Sequence, residues 1–152
     1  MNGTDLDRSP AHERVGPQRG RLRSASATLR EAVDADREPD VWRAAVGAAL
    51  TDLAVAWEEH VDFTEAPDGL FDEMLGTSLE VAPEIDHLKR DHVVLRSAVG
   101  RAEQLLGASA AGPGDPKLVD ALRSVVKQVD GHRRRGADLL YQVYSVDPTG
   151  GG

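Results

Sequence analysis

The stretch LEVAPEIDHLKRDHVVLRSAVGRAEQLL, residues 79–106, decides the fold class. Apolar or small residues and one histidine recur in it at alternating intervals of three and four: Val81, Ile85, Leu88, His92, Leu95, Val99, Ala102 and Leu106. Such intervals bring side chains onto one face of an α-helix. The stretch therefore predicts an amphipathic helix that buries this face.

Three further stretches carry the same pattern, at residues 21–36, 40–65 and 115–144. Helix breakers separate the four stretches: a proline at position 39, the Ala-Pro-Asp-Gly sequence at 66–69, and a loop of small residues from 107 to 116. Residues 70–79 predict a short helix or packed loop that caps one end. Helices of this length joined by short connections are typical of an antiparallel up-down-up-down four-helix bundle, here over residues 21–146.

Composition narrows the class of protein further. The 152 residues suit a single domain, and the low aromatic content of 4% favours a helical core of Leu, Val and Ala. Residues 1–20 predict a disordered arm, and residues 147–152 a disordered tail. The absence of cysteine excludes disulfides and thiolate metal sites.

Charge and hydropathy bear on partners and location. A net charge of −8 argues against nucleic acid as a partner. No apolar run is long enough to span a membrane, and the polar N-terminus lacks the apolar segment of a signal peptide. We therefore expect a cytoplasmic protein with no membrane partner.

Three histidines lie on the apolar faces of three different predicted helices: His60, His92 and His132. In an antiparallel bundle, a rise of about 1.5 Å per residue places them roughly 30, 22 and 25 Å from the same end. Helix ends are uncertain by a few residues, so these depths are consistent with one layer. Buried neutral imidazoles require a partner, and the candidates are a metal ion, a carboxylate or water.

A second set of candidate ligands lies about one helical turn away and comprises Glu65, His87 and Asp138. Together, the two sets form the pairs His60-x4-Glu65, His87-x4-His92 and His132-x5-Asp138. Mixed histidine and carboxylate ligands suit iron, manganese or zinc, and carboxylates readily bridge two metal ions in bundle cores. The alternative for the second set is a solvated face, and for the first set a hydrogen-bonded polar core.

The stretches 57–70, 88–92 and 132–139 carry a resemblance to the hemerythrin-like (HHE cation-binding) proteins, which covers residues 21–144. The resemblance implies a four-helix bundle with a non-haem iron centre, built from both sets of ligands, and dioxygen as a further ligand. It also implies a role in sensing, storage or detoxification. An enzymatic role ranks last, because no separate general acid or base stands out.

The ligand intervals differ from those of that family. Each interval is one residue longer, and the first predicted helix has no histidine. Positions five apart on a helix are about 140° apart, so both members of a pair point at one centre only where the helix is distorted. Three alternatives are therefore open: a dinuclear site, a reduced mononuclear site, and a metal-free structural or protein-interaction bundle.

Overall fold

The computed structural model describes residues 9–108 and 112–145. Regular structure in these two ranges is entirely helical. Five α-helices follow one another: α1 Val15–Asp34, α2 Pro39–Glu65, α3 Leu70–Thr77, α4 Ala82–Gly107 and α5 Pro116–Tyr144. Single 3-10 turns precede α1 at Ala11–Glu13 and α4 at Leu79–Val81. The four predicted amphipathic helices are confirmed, and the segment after residue 69, predicted as a short helix or packed loop, is the short helix α3.

Helix α1 begins six residues earlier than the sequence predicts. Pro17 is the third residue of α1, where a backbone N–H has no partner within the helix, so proline is tolerated. Ahead of it, Ala11 is buried, and the amides of Ala11 and His12 donate to the Glu73 carboxylate on α3. The predicted disordered arm is therefore wrong for the residues of the 3-10 turn and for residues 15–20. Residues 1–8 and the tail at 147–152 lie outside the described residues.

The other helix boundaries follow the signals in the sequence. Proline stands in the first turn of α2, α4 and α5, where it removes no helical hydrogen bond. The Asp115 carboxylate caps α5 by accepting from the amides of Lys117 and Leu118. The Pro-Asp-Gly turn at 67–69 separates α2 from α3 as predicted.

The four long helices bury their apolar faces against one another. Helix α1 packs on α2 and α5, α4 packs on α5 and α2, and α3 packs on α2. The main core contains Leu29, Trp42, Leu53, Leu122 and Val129, all fully buried. A smaller core lies around α3 and joins it to the start of α4 and the end of α5. Three buried or partly buried histidines lie among these apolar side chains.

Within the described ranges, no helix combines the length and apolar character that a membrane crossing requires. The cytoplasmic location stays a prediction.

Candidate metal centre

The three predicted histidines from three helices meet inside the molecule. His60 comes from α2, His92 from α4 and His132 from α5, and one ring nitrogen of each lies within 4.8 Å of the others. His92 is 1% exposed and His132 3%, whereas His60 is partly exposed. The Nε2 atoms of His60 and His132 are 3.0 Å apart. The prediction that these side chains share one layer is confirmed, and we call them the histidine cluster.

Two carboxylates orient two of the rings. Asp91 Oδ2 accepts from His132 Nδ1 at 2.9 Å, and Glu65 Oε2 accepts from His92 Nδ1. A carboxylate bonded to Nδ1 fixes both the tautomer and the direction of an imidazole, and it makes the opposite nitrogen a better ligand. Both rings therefore present Nε2 lone pairs for coordination.

The proton positions follow from these contacts. Ionised Asp91 only accepts, so the proton of neutral His132 is on Nδ1, and its Nε2 accepts a hydrogen bond. His60 Nε2 must then donate to it. His92 Nε2 is buried and has no hydrogen-bond partner. A polar atom left in this state costs about 1–3 kcal/mol, and a bound cation would use its lone pair.

Burial keeps the three imidazoles neutral. Burial lowers the pKa of His60 well below 6.5, and the neighbouring rings of His132 and His92 lower it further. Burial also lowers the pKa of His132 to about 4, although the hydrogen bond to Asp91 opposes the change. For His92, burial lowers the pKa and the Glu65 carboxylate opposes it. Neutral imidazole is the form that binds metals, so no proton has to leave these rings at pH 7.

Aromatic rings enclose the cluster. The indole of Trp57 lies 5.0–5.4 Å from all three imidazole centroids, and its Nε1 donates to the His92 carbonyl at 3.4 Å. Phe71 on α3 stacks on His92 at 5.8 Å with an interplanar angle of 9°. The short helix that caps this end therefore supplies one wall. These contacts restrict the ring rotamers and keep bulk water away.

The second set of predicted ligands does not join the histidine cluster. Glu65 reaches it only through the Nδ1 atom of His92. His87 is exposed, and its Nε2 is 3.7 Å from Asp91 Oδ1. Asp138 is also exposed and shares an open surface groove with His87. Helices α2, α4 and α5 are continuous, so they carry no bulge that would turn these positions inward. The assignment of Glu65, His87 and Asp138 as ligands of this cluster is therefore corrected.

Asp91 also belongs to this candidate centre, although the sequence did not single it out. It precedes His92 and lies off the apolar stripe of α4, on the side that faces α5. Arg135 on α5 donates to the same Oδ2 atom at 2.7 Å. Burial raises the pKa of Asp91, but hydrogen bonds from His132 and Arg135 outweigh it and leave the pKa below its usual value. The sequence carried one signal for this contact, an acidic residue directly before a histidine of the apolar stripe.

A cavity of about 30 Å³ adjoins the cluster. His60 and His132 form part of its wall, and most of the remainder is apolar, including Leu22, Phe71 and Leu140. The space is enough for about two water molecules, since one needs at least about 10–15 Å³. A small, mostly apolar cavity therefore borders the cluster at His60 and His132.

Comparison with family models, with curated proteins and with solved structures found no match to this chain.

Proposed function

We propose that this chain is a metal-binding domain that holds one divalent transition-metal ion on His60, His92 and His132. The observation that carries the proposal is the convergence of these rings around the buried, unpartnered Nε2 atom of His92. Three neutral nitrogens suit iron, zinc, nickel or copper. We propose iron among these, following the hemerythrin-like resemblance of the sequence.

The spacing of two of the three donors suits a mononuclear ion. Ligand bonds of about 2.1 Å at angles of 90–110° separate two nitrogens by roughly 3.0–3.4 Å, and the Nε2 atoms of His60 and His132 are 3.0 Å apart. The carboxylates of Asp91 and Glu65 are engaged with Nδ1 atoms, so they would stabilise the cation from a distance rather than bridge two ions. This arrangement supports the reduced site in preference to the dinuclear one.

A bound ion would supply Lewis acidity and at least one open coordination position for a small ligand. The chain itself contributes what surrounds that position. Trp57 and Phe71 exclude bulk water, and the adjoining cavity admits only a few atoms. Dioxygen, the ligand implied by the resemblance, stays a prediction.

The antiparallel, hemerythrin-like order of the helices is part of the proposal. Residues 35–38 alone connect α1 to α2, and these two helices pack on each other. A connection this short favours opposite directions for neighbouring helices. An antiparallel order would also place His60, His92 and His132 at the same depth in the bundle.

A metal-free polar core is the second candidate, and one observation favours it. The bond between His60 and His132, with the two carboxylates, satisfies most of the ring nitrogens without any ion. It leaves His92 Nε2 unsatisfied, which is why we rank it second. Under this reading, the bundle serves as a structural or protein-interaction module.

Elemental analysis of the protein, purified from iron-supplemented cells without chelator, tests the proposal. We expect about one iron per chain, falling to background in H92A and H132A. H87A is the matched control, because its ring is exposed and lies outside the cluster. Wild-type protein with no more metal than H92A, both after expression and after anaerobic addition of Fe²⁺, would overturn the proposal and leave the metal-free core.

Fluorescence gives an independent measure. Trp57 touches all three rings, so a paramagnetic ion such as Fe²⁺ or Co²⁺ should quench its emission. The other tryptophan, Trp42, donates to the Val33 carbonyl in a different part of the core. We expect quenching to be lost in W57F and retained in W42F. Equal quenching in both variants would point to non-specific binding.

A further inference from the structure

Two arginines line the cavity beside the histidine cluster. Arg19 comes from α1 and Arg133 from α5, and both belong to the cavity wall with His60 and His132. The Nε atom of each guanidinium is buried and has no hydrogen-bond acceptor. A buried charged donor without an acceptor is costly, because burial removes its hydration and nothing replaces it. The cavity wall therefore contains two positively charged side chains, each with a buried N–H group that has no acceptor.

The nearby carboxylates do not neutralise this pair. Among the described residues, Arg19 has no hydrogen-bond or ion-pair partner. Arg133 approaches one carboxylate, that of Asp130, at 3.7 Å from a terminal nitrogen. Asp130 also accepts from Ser26 and Arg30 on α1, so its charge is shared. This region is positive although the whole chain has a net charge of −8.

Burial and mutual repulsion act on both guanidinium groups. Burial lowers the pKa of Arg19, and the charge of Arg133 lowers it further. Burial also lowers the pKa of Arg133, against the attraction of Asp130. Arginine nevertheless stays protonated in proteins, so both charges persist at pH 7. An anion between them would relieve the repulsion and accept from the free donors.

We propose that the cavity is a binding site for a small monoanion of two or three non-hydrogen atoms, held by Arg19 and Arg133 beside the histidine cluster. The volume of about 30 Å³ sets the size, since it accommodates about two water-sized groups. Formate, nitrite and azide belong to this class. Sulfate and phosphate, with five non-hydrogen atoms, exceed it.

Gln18 completes the polar part of the wall. Its Oε1 atom is buried without a donor, and it lines the same cavity. Rotation of the amide exchanges this oxygen for the NH₂ group, which would donate to the anion as well. The site goes beyond the proposed metal centre and does not require it, because these side chains belong to the metal-free chain.

Azide binding to the metal-free 152-residue chain tests the proposal. The probe is sodium azide, followed by the infrared stretch of the bound anion and by the rise in melting temperature, at ionic strength held constant with sulfate. We expect R19Q and R133Q each to weaken azide at least tenfold. R123Q removes an exposed arginine of α5 that does not line the cavity, and we expect less than a twofold change. Circular dichroism checks that each variant is helical, and R19K, which keeps the charge, should retain part of the affinity.

The outcomes separate this inference from the metal proposal. Saturable azide binding in chelated protein that is lost in R19Q supports the anion site, whether or not iron binds. Binding that appears only after iron is added and is unchanged in R19Q would make azide a metal ligand and overturn the anion site. Equal stabilisation by sulfate and azide, or equal losses in R19Q and R123Q, would also overturn it.

Discussion

Acid destabilisation of the metal-free protein should report directly on the buried His132 ring. In the unfolded chain, this imidazole has an ordinary pKa of about 6.5, whereas burial lowers the pKa in the folded protein to about 4. Between these values, the unfolded state binds the proton more readily. The contribution of His132 to stability is therefore constant above about pH 6.5, falls as the pH drops, and levels off near pH 4.

The size of the effect follows from the same two values. A difference of about 2.5 pH units at 1.36 kcal/mol per unit amounts to about 3 kcal/mol of unfolding free energy. That is a large part of the 5–15 kcal/mol typical of a domain. The carboxylates also titrate in this range, so the informative quantity is the difference between wild type and H132Q.

Urea unfolding at pH values from 7.5 to 4.5, followed by circular dichroism in the presence of chelator, provides the assay. We expect the stability of wild type relative to H132Q to be flat above pH 6.5 and to fall by roughly 2–3 kcal/mol towards pH 4.5. H87Q, which changes an exposed ring, should run parallel to wild type. Parallel curves for wild type and H132Q across the whole range would refute the assignment of His132 as a buried neutral imidazole.

Three further changes probe the surroundings of the cluster. D91N keeps the shape of the side chain but removes the charge that accepts from His132. We expect metal affinity to fall about 10- to 100-fold in a competition titration, whereas D86N, at an exposed position, should leave it unchanged. E73A removes the carboxylate that accepts from two backbone amides and from the Tyr144 hydroxyl at 2.6 Å. We expect the free energy of unfolding to fall by about 2 kcal/mol and the amides at positions 11 and 12 to exchange faster. Unaltered exchange would contradict this role. G69A places a Cβ atom 2.8 Å from two backbone carbonyl oxygens. We expect the free energy of unfolding, measured in thermal melts, to fall by about 1–3 kcal/mol. An unchanged stability would show that the turn adapts freely.

Glu73 also explains how the N-terminal segment becomes part of the fold. Its two carboxylate oxygens accept from the Ala11 and His12 amides, and the His12 ring stacks on Tyr144 at 4.3 Å. These contacts join the start of the chain, α3 and the end of α5. Burial raises the pKa of Glu73, but hydrogen bonds from Tyr144 and His12 outweigh it and leave the pKa lowered. The carboxylate is therefore ionised at pH 7.

The helical segments and the three core histidines were predictable because both depend on local periodicity. A stripe repeating every three or four residues determines which face of a helix is buried, whatever it packs against. The same periodicity shows why Glu65, His87 and Asp138 fail as ligands of the cluster. At intervals of five and six residues from their partners, in continuous helices, they point elsewhere.

The sequence by itself determined the helix-rich class, the breaks between helices and the place of His60, His92 and His132 on the inward helix faces, because these follow from local periodicity along the chain. Only the tertiary structure decided what those rings meet. Asp91 approaches His132 from another helix, 41 positions away, and Arg19 lies beside Arg133 although the sequence predicts disorder at its position. Side-chain polarity shows that a group needs a partner, but the packing of separate helices selects which partner it finds.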